Sequence, residues 1–311
     1  MLLALLQALR PHQWVKNLLL FAPLVFAHKV GVSDAVWLAT LGFAGFCLAS
    51  SGVYLLNDLV DRHGDRLHPK KRLRPIASGR LPIPAAVLAL ASLLVGVVAI
   101  SMTLDGWDSL PVREEMLVAG LGVGIPYWAW VASYLVLNLA YSFWLKRIVI
   151  VDALCIAMGF QLRVFAGASA IQTPASSWIL LCTFFFALFL AFCKRREEVV
   201  KLGDSGTRAS LRDYDAHFLD QMINPLAAMS ILAYALYTVD QRTVRYHHTS
   251  DLALTVPFVV FGVFRYLYLV HRHGEGDDPA RLLFRDRQLV LAGLLWAACV
   301  MVVLARAPSG A

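Results

Sequence analysis

Four oxygen-bearing side chains crowd into one short stretch, Asn57-Asp58-Leu59-Val60-Asp61-Arg62-His63-Gly64-Asp65. On a helix, at about 100° per residue, Asn57, Asp58, Asp61 and Asp65 fall within an arc of roughly 100°. Oxygen ligands on one face suit Mg2+, a hard cation that takes a few carboxylates and completes its shell with substrate phosphates. A basic stretch follows at once, Arg66 to Arg80, reading RLHPKKRLRPIASGR. Guanidinium and ammonium groups suit the phosphates themselves. The spacing therefore fits a metal-bound diphosphate. The plainer alternative is a solvated helix end of mixed charge.

Other residues add to this pattern. Arg74, fixed between Leu73 and Pro75, is a candidate anion ligand, whereas Lys70 and Lys71 read as ordinary loop charge. Tyr141 and Lys146 lie in Tyr141-Ser142-Phe143-Trp144-Leu145-Lys146-Arg147. An interfacial aromatic and a snorkelling lysine would explain those two equally well. Asp152, at the start of an apolar run, serves either as a site acid or as a helix cap. Lys194 and Arg195, ahead of Glu198, bind an anion or mark a span end. Arg163 falls in the middle of an apolar run, where an arginine costs at least ~2.5 kcal/mol, so it must face a polar cavity or a partner, and the cavity is the favoured expectation. Arg265 is near enough to its span end to snorkel. Lys16, in Arg10-Pro11-His12-Gln13-Trp14-Val15-Lys16-Asn17, is a further candidate beside the interface anchor Trp14. His63 and His68 read as solvated loop histidines. No Ser or Cys elbow, His-Glu-x-x-His or Gly-rich phosphate loop appears. Chemistry would then rest on metal, positioning and leaving-group stabilisation.

These residues must be positioned by apolar segments. The chain has 311 residues, 59% hydrophobic and 16% charged, with a mean hydropathy of +0.64. A soluble domain carries about 25% charged residues, so the composition indicates a polytopic membrane protein. The formal charge of +7 lies in loops between apolar runs, which suits anionic lipid and acidic substrates and argues against nucleic acid. The five cysteines show no metal-ligand spacing and read as small core hydrophobes. Met1 to Leu9 reads as a short interfacial helix rather than a signal peptide, because Arg10 lies on the wrong side of it.

A span needs roughly 20 apolar residues, and nine candidates emerge. They are Trp14 to Val30, Ala35 to Leu56, Leu81 to Leu104, one within Met116 to Leu145, one within Ile148 to Ala170, Ser176 to Cys193, Gln221 to Val239, Leu252 to Val270 and Gln288 to Ala305. Lys and Arg concentrate in the loops after the even-numbered spans, as in 58–80 and 194–220, whereas 171–177 holds none. The positive-inside rule then places the N-terminus and every charge-rich stretch on the cytoplasmic side of the plasma membrane. A soluble anion would meet a lipid tail there.

The Asn57-Asp58-x-x-Asp61-x-x-x-Asp65 stretch, followed by Tyr141-Ser142-x-x-Leu145-Lys146-Arg147 on a nine-span chain, resembles the UbiA superfamily of intramembrane prenyltransferases. The resemblance implies an all-α polytopic membrane fold, nine transmembrane helices around a central cavity open to the cytoplasm. It also implies one catalytic domain over residues 1–311, and Mg2+. Most members carry a second Asp-x-x-x-Asp stretch. Here the corresponding region reads Lys194-Arg195-Arg196-Glu197-Glu198 and Arg212-Asp213-Tyr214. That departure, with Arg10-Pro11-x-x-Trp14-x-Lys16-Asn17 and Arg72-x-Arg74-Pro75-Ile76-Ala77-Ser78-Gly79, is similar to a branch with reversed roles. Its diphosphate donor is phosphoribosyl pyrophosphate, its acceptor is a polyprenyl phosphate, and its product feeds cell-wall arabinan precursors.

Carried onto this sequence, the resemblance gives Asn57, Asp58, Asp61 and Asp65 to the metal. Arg74 and Lys146 would neutralise the leaving diphosphate, and Lys194 and Arg195 would hold a phosphate. Lys16, Tyr141, Asp152 and Arg163 would line the substrate site. The lipid phosphate is an anion at neutral pH, so no protein base is needed. Two other readings stand beside this one: a prenyltransferase using a prenyl diphosphate, and a transporter of a phosphorylated lipid. A transporter would be expected to show inverted repeats and broken helices at the midplane, whereas here the charge gathers at one face. A small symmetric homo-oligomer is the general expectation.

Overall fold

In a bilayer an apolar segment has no water to satisfy its backbone, so each run must close its own hydrogen bonds as a helix. The computed structural model describes residues 1–67, 71–106, 124–202, 214–273, 282–283 and 285–306. Among them the chain is helical, with no β-sheet. The order is α1 (Leu2–Leu9), a 3-10 helix (Pro11–Phe21), α2 (Ala22–Phe26), α3 (Ser33–Val60), α4 (Arg62–Leu67), α5 (Ile83–Asp105), α6 (Tyr127–Phe143), α7 (Val151–Ala170), α8 (Ser177–Leu202), α9 (Ala216–Val239), α10 (Gln241–His247), α11 (Val256–His273) and α12 (Arg287–Arg306). Among the described residues seven helices are long and apolar enough to cross a membrane: α3, α5, α7, α8, α9, α11 with the turn before it, and α12.

Two of the nine expected spans differ. The fourth appears as α6, only 17 residues long, and the expected residues 116–123 lie outside the described ones. The first is not one α-helix: Pro11–Phe21 winds as a 3-10 helix over 11 residues before α2. Runs of this type beyond three or four residues are uncommon, and residues i and i+3 lie one above another. The sequence has that period, because Pro11, Trp14, Asn17 and Leu20 share one edge. The indole of Trp14 donates to Ser51 Oγ at 3.0 Å. The Asn17 amide donates to Ser50 Oγ at 3.2 Å. Leu20 is fully buried against the α3 core. Anchoring at a period of three holds the tighter helix where hydropathy alone suggested an ordinary one.

The chain divides into two compact units, Met1–Leu145 with Met158–Ile179, and Lys146–Ala157 with Leu180–Ala311. In the first, α3 packs on α5, α6, α1 and the 3-10 helix, around Phe46, Leu38, Leu104, Tyr127 and Leu162. Gly42 and Gly45 leave room for the Tyr127 ring, whose hydroxyl donates to the Gly42 carbonyl at 2.7 Å. Gly167 on α7 is tighter still. A Cβ there would lie 2.1 Å from the carbonyl oxygen of Leu20. In the second unit α11 packs on α9 and α12. There Phe189 meets Tyr266 edge-on, and the Trp296 indole donates to the Tyr234 hydroxyl at 2.8 Å.

Gly167→Ala should therefore destabilise the protein by about 3 kcal/mol through overpacking against backbone. Gly31→Ala, with nothing within 4 Å of the new methyl, should change stability little. Thermal unfolding of the two variants in detergent checks this.

Candidate active site

α3 carries Asn57 and Asp58 on its last turn. It does not continue through Asp65 as the helical spacing anticipated. It ends at Val60, and Asp61 adopts φ −82°, ψ 1° before α4 begins. Asp, His and Gly are weak helix formers, and all three follow. The break divides the four oxygen-bearing residues. Asp58 and Asp65 are buried, at 2% and 3% exposure, Asn57 is half-buried, and Asp61 is exposed.

Two buried carboxylates at one helix end require counter-charges, because desolvating an unpaired ion costs several kcal/mol. Arg74 supplies one. Its Nη1 donates to Asp58 Oδ1 at 3.1 Å and to Asp65 Oδ2 at 2.8 Å. The turn that presents it is tightly specified. The Leu81 N–H donates to the Pro75 carbonyl, Ile76 and Ala77 are buried, and Gly79 takes φ +77°, a left-handed conformation that favours glycine. Arg80 donates to the Leu73 carbonyl at 2.6 Å and to Gln7 Oε1 on α1 at 3.0 Å. Arg10 supplies the second counter-charge. It lies just after α1, and its Nη2 reaches Asp58 Oδ1 at 2.6 Å. Its guanidinium also lies 4.9 Å from the Tyr54 ring centroid. Ser142 Oγ donates to Asn57 Oδ1 at 2.7 Å, and half-buried Tyr141 precedes it.

Both arginines end on Oδ1 of Asp58. Its Oδ2 is buried without a hydrogen-bond partner among the described residues. No three His, Cys, Asp or Glu side chains among those residues converge to hold a metal by themselves. Asp58, Asp61 and the Asn57 amide nevertheless fit Mg2+, which is commonly bound by one or two carboxylates and completed by substrate phosphates.

The remaining expected residues fall elsewhere. Lys16 is half-buried on the 3-10 helix. Arg163 is buried on α7 among neutral acceptors. Nε donates to Asn17 Oδ1 at 2.8 Å, Nη1 to the Gly159 carbonyl at 2.6 Å and Nη2 to the Tyr134 hydroxyl at 3.2 Å. Three aromatic rings, of Phe46, Tyr134 and Phe160, surround its guanidinium. The second unit holds Lys146, half-buried in a short 3-10 turn, Leu145–Arg147, with Asp152, Lys194 and Arg195. Asp152 is fully buried. It accepts from Arg195 Nε at 2.5 Å, from the Tyr214 hydroxyl at 2.8 Å and from the Ala153 N–H at 2.9 Å. Arg195 also pairs with Glu198, and Lys194 Nζ lies 4.0 Å from the same carboxylate. The Tyr214 hydroxyl accepts the Ile150 N–H at 2.6 Å. Burial pushes the Tyr214 phenol above its usual range. Arg212, Asp213, His68 and Lys70 lie outside the described residues.

Sequence reasoning missed Arg10 and Ser142 as partners of the acidic stretch. Arg10 was visible only as the first residue of Arg-Pro-x-x-Trp. Its partner lies 48 positions away.

Arg74→Ala should destabilise the protein by about 2–3 kcal/mol by stranding Asp65, somewhat less than a fully buried pair because Arg74 is partly exposed. Arg74→Lys should recover part of that in chemical denaturation, since one ammonium bridges two carboxylates less well. Tyr214 supplies a pH test. A phenol whose pKa is raised on folding contributes stability that is present below its unfolded value of 10.0 and lost as pH rises. Wild type should lose stability more steeply than Tyr214→Phe above about pH 10; equal slopes in alkaline denaturation would contradict this assignment.

The UbiA prenyltransferase family model matches residues 18–285. The decaprenyl-phosphate phosphoribosyltransferase of Mycolicibacterium smegmatis is 32% identical over 94% of this chain and 89% of its own. The enzyme of the same name from Corynebacterium glutamicum is 32% identical over 96% and 86%. Among solved structures, a UbiA homologue from Archaeoglobus fulgidus bound to GPP and Mg2+ superposes with a TM-score of 0.69, covering 97% of this chain and 99% of that one at 17% identity. With a model match across most of its length and relatives of this similarity, the chain belongs to the UbiA prenyltransferase family.

Proposed function

We propose that this protein transfers 5-phosphoribose from phosphoribosyl pyrophosphate to a polyprenyl phosphate, decaprenyl phosphate in the first instance, for cell-wall arabinan precursors. The observation that carries this reading is the near full-length similarity to decaprenyl-phosphate phosphoribosyltransferases. The acidic cluster supports it. Two arginines share one oxygen of Asp58 while the other stays bare, in keeping with a site for a cation and a diphosphate.

Asn57, Asp58 and Asp61 would hold Mg2+, whose chemistry is to neutralise the diphosphate and ease its departure, while Asp65, expected as a fourth ligand, is paired with Arg74. Arg74 pairs with Asp58 and Asp65 and Arg10 with Asp58, and both would face the donor's phosphates. Lys146 and Lys194 are assigned to phosphate binding. Asp152 is assigned, through Arg195, to holding that basic stretch in place. A lipid phosphate oxygen attacks the anomeric carbon; the new C–O bond forms as the bond to diphosphate breaks. The nucleophile enters already ionised, so the reaction requires no protein general base. The whole chain acts as one catalytic domain in the plasma membrane. Its N-terminus and site face the cytoplasm, following the Lys and Arg distribution, around a central cavity open to that side. Nine crossings follow if the 3-10 helix with α2, together roughly 30 Å long, and α6 each span the bilayer.

Purified protein with Mg2+ and a polyprenyl phosphate should release diphosphate only when phosphoribosyl pyrophosphate is present. Asp58→Ala and Asp61→Ala should reduce that release to background while the variants stay folded. The homologue seen with GPP favours a second reading, prenyl transfer. Release from a prenyl diphosphate with 4-hydroxybenzoate, and none from phosphoribosyl pyrophosphate, would establish it and sink the first.

A further inference from the structure

Arg163 makes the strongest demand of any residue outside the acidic cluster. It is 6% exposed, and none of the ion pairs among the described residues includes it. A buried cation without a counter-ion persists only where its hydrogen bonds and π contacts are good, and here three guanidinium nitrogens have acceptors. The acceptor on Nε is Asn17. The Asn17 amide in turn donates to Ser50 Oγ at 3.2 Å and to Cys47 Sγ at 3.3 Å. One residue of the 3-10 helix is thus clamped between α7 and α3.

The clamp continues toward the carboxylates. One turn earlier Trp14 donates to Ser51 Oγ, and that hydroxyl donates to the Leu9 carbonyl at 3.0 Å. Arg10 follows in the left-handed region, at φ 53°. A non-glycine residue there costs roughly 1–2 kcal/mol, and it is held by the contact with Asp58 at 2.6 Å. One turn later Leu20 lies against Gly167 so closely that α7 tolerates no side chain there. A long 3-10 helix is an unfavourable element, and α7 holds it at two points, Arg163 and Gly167.

We propose that Arg163 is a positioning residue. Through Asn17 it fixes the translation and rotation of Pro11–Phe21, and so the place of Arg10 against Asp58 and of Lys16 next to Asn17. It acts on the donor site from the middle of the membrane without touching substrate. This rests on the reading of Asp58 as part of a diphosphate site.

The test compares Arg163→Gln, Arg163→Lys and Gly167→Ala with Tyr127→Phe, which loses the hydroxyl bond to Gly42 elsewhere in the same core. Hydrogen–deuterium exchange of residues 12–21 and steady-state kinetics of diphosphate release are read on each. Arg163→Gln and Gly167→Ala should both speed exchange across 12–21. Both should raise the donor KM about tenfold or more while kcat changes much less, since displacing Arg10 and Lys16 removes binding made equally in the ground state and the transition state. Arg163→Lys should fall between these variants and wild type, and Tyr127→Phe should leave KM unchanged. Unaltered exchange in Arg163→Gln, or an equal KM shift in Tyr127→Phe, would overturn the proposal; so would a loss confined to kcat. If Arg163→Gln fails to fold, Arg163→Lys and Gly167→Ala decide by the same criteria. If wild type ignores phosphoribosyl pyrophosphate and consumes a prenyl diphosphate, the functional reading fails alone. Exchange and the KM of that donor then still decide the role of Arg163.

Discussion

The protein is arranged around a buried negative charge at the end of a membrane helix. Asp58 has almost no contact with solvent, and a carboxylate so placed ionises only if positive charge reaches it. Neither counter-ion comes from its own helix. Arg74 arrives on the turn after α4, and Arg10 folds back from the far end of the 3-10 helix. Elements that look incidental in the sequence follow from this requirement. The glycine at 79, the buried Ile76 and Ala77, and the reach of Arg80 to Gln7 all fix a turn whose purpose is to present one guanidinium. Arginine suits the task better than lysine, because one planar group serves two carboxylates.

The 3-10 helix shows the same economy from the packing side. An α-helix through Pro11–Phe21 would spread Trp14, Asn17 and Leu20 around roughly 100° per residue steps and carry them off a common edge. A period of three stacks them. In that register the indole and the amide meet hydroxyls on successive positions of α3, and Leu20 meets Gly167. Small residues on the partner helices are what permit it. In a membrane, where lipid is as apolar as a leucine side chain, close backbone approach and buried polar contacts are the main sources of helix association.

Most of the framework was legible from hydropathy, because length and charge-free composition are enough to identify a span. The acidic stretch and Arg74 were legible because they are neighbours in sequence and chemically unusual at a span end. Three features were not. The break of α3 at Asp61 depends on local backbone geometry that a helical wheel cannot register, and it exposes Asp61 while burying Asp65. The first span carries a period of three, but its hydropathy masks that period. The pairings of Arg10 with Asp58 and of Arg195 with Asp152 join residues 48 and 43 positions apart. A sequence read without homologues shows that a buried arginine needs a partner, but not which carboxylate it finds.

The two charged clusters balance their charge differently, and the difference bears on their roles. In the second unit Asp152 is saturated: both its oxygens accept, from Arg195, Tyr214 and a backbone N–H, and Arg195 is spent on Asp152 and Glu198. Hydrogen bonding of this kind holds the Asp152–Arg195 pair in one arrangement, while Oε2 of the neighbouring buried Glu197 has no hydrogen-bond partner among the described residues. In the first unit the donors converge on one oxygen of Asp58 and leave the other bare, while Asp61 stands exposed one turn away. An unsatisfied buried acceptor costs about 1–3 kcal/mol, and such a cost persists where binding of a further group offsets it. The bare oxygen of Asp58 sets it apart from Asp152, both of whose oxygens have donors. Arg195, which its place at a span end and the family resemblance marked as an anion ligand, is buried and paired with Asp152 and Glu198.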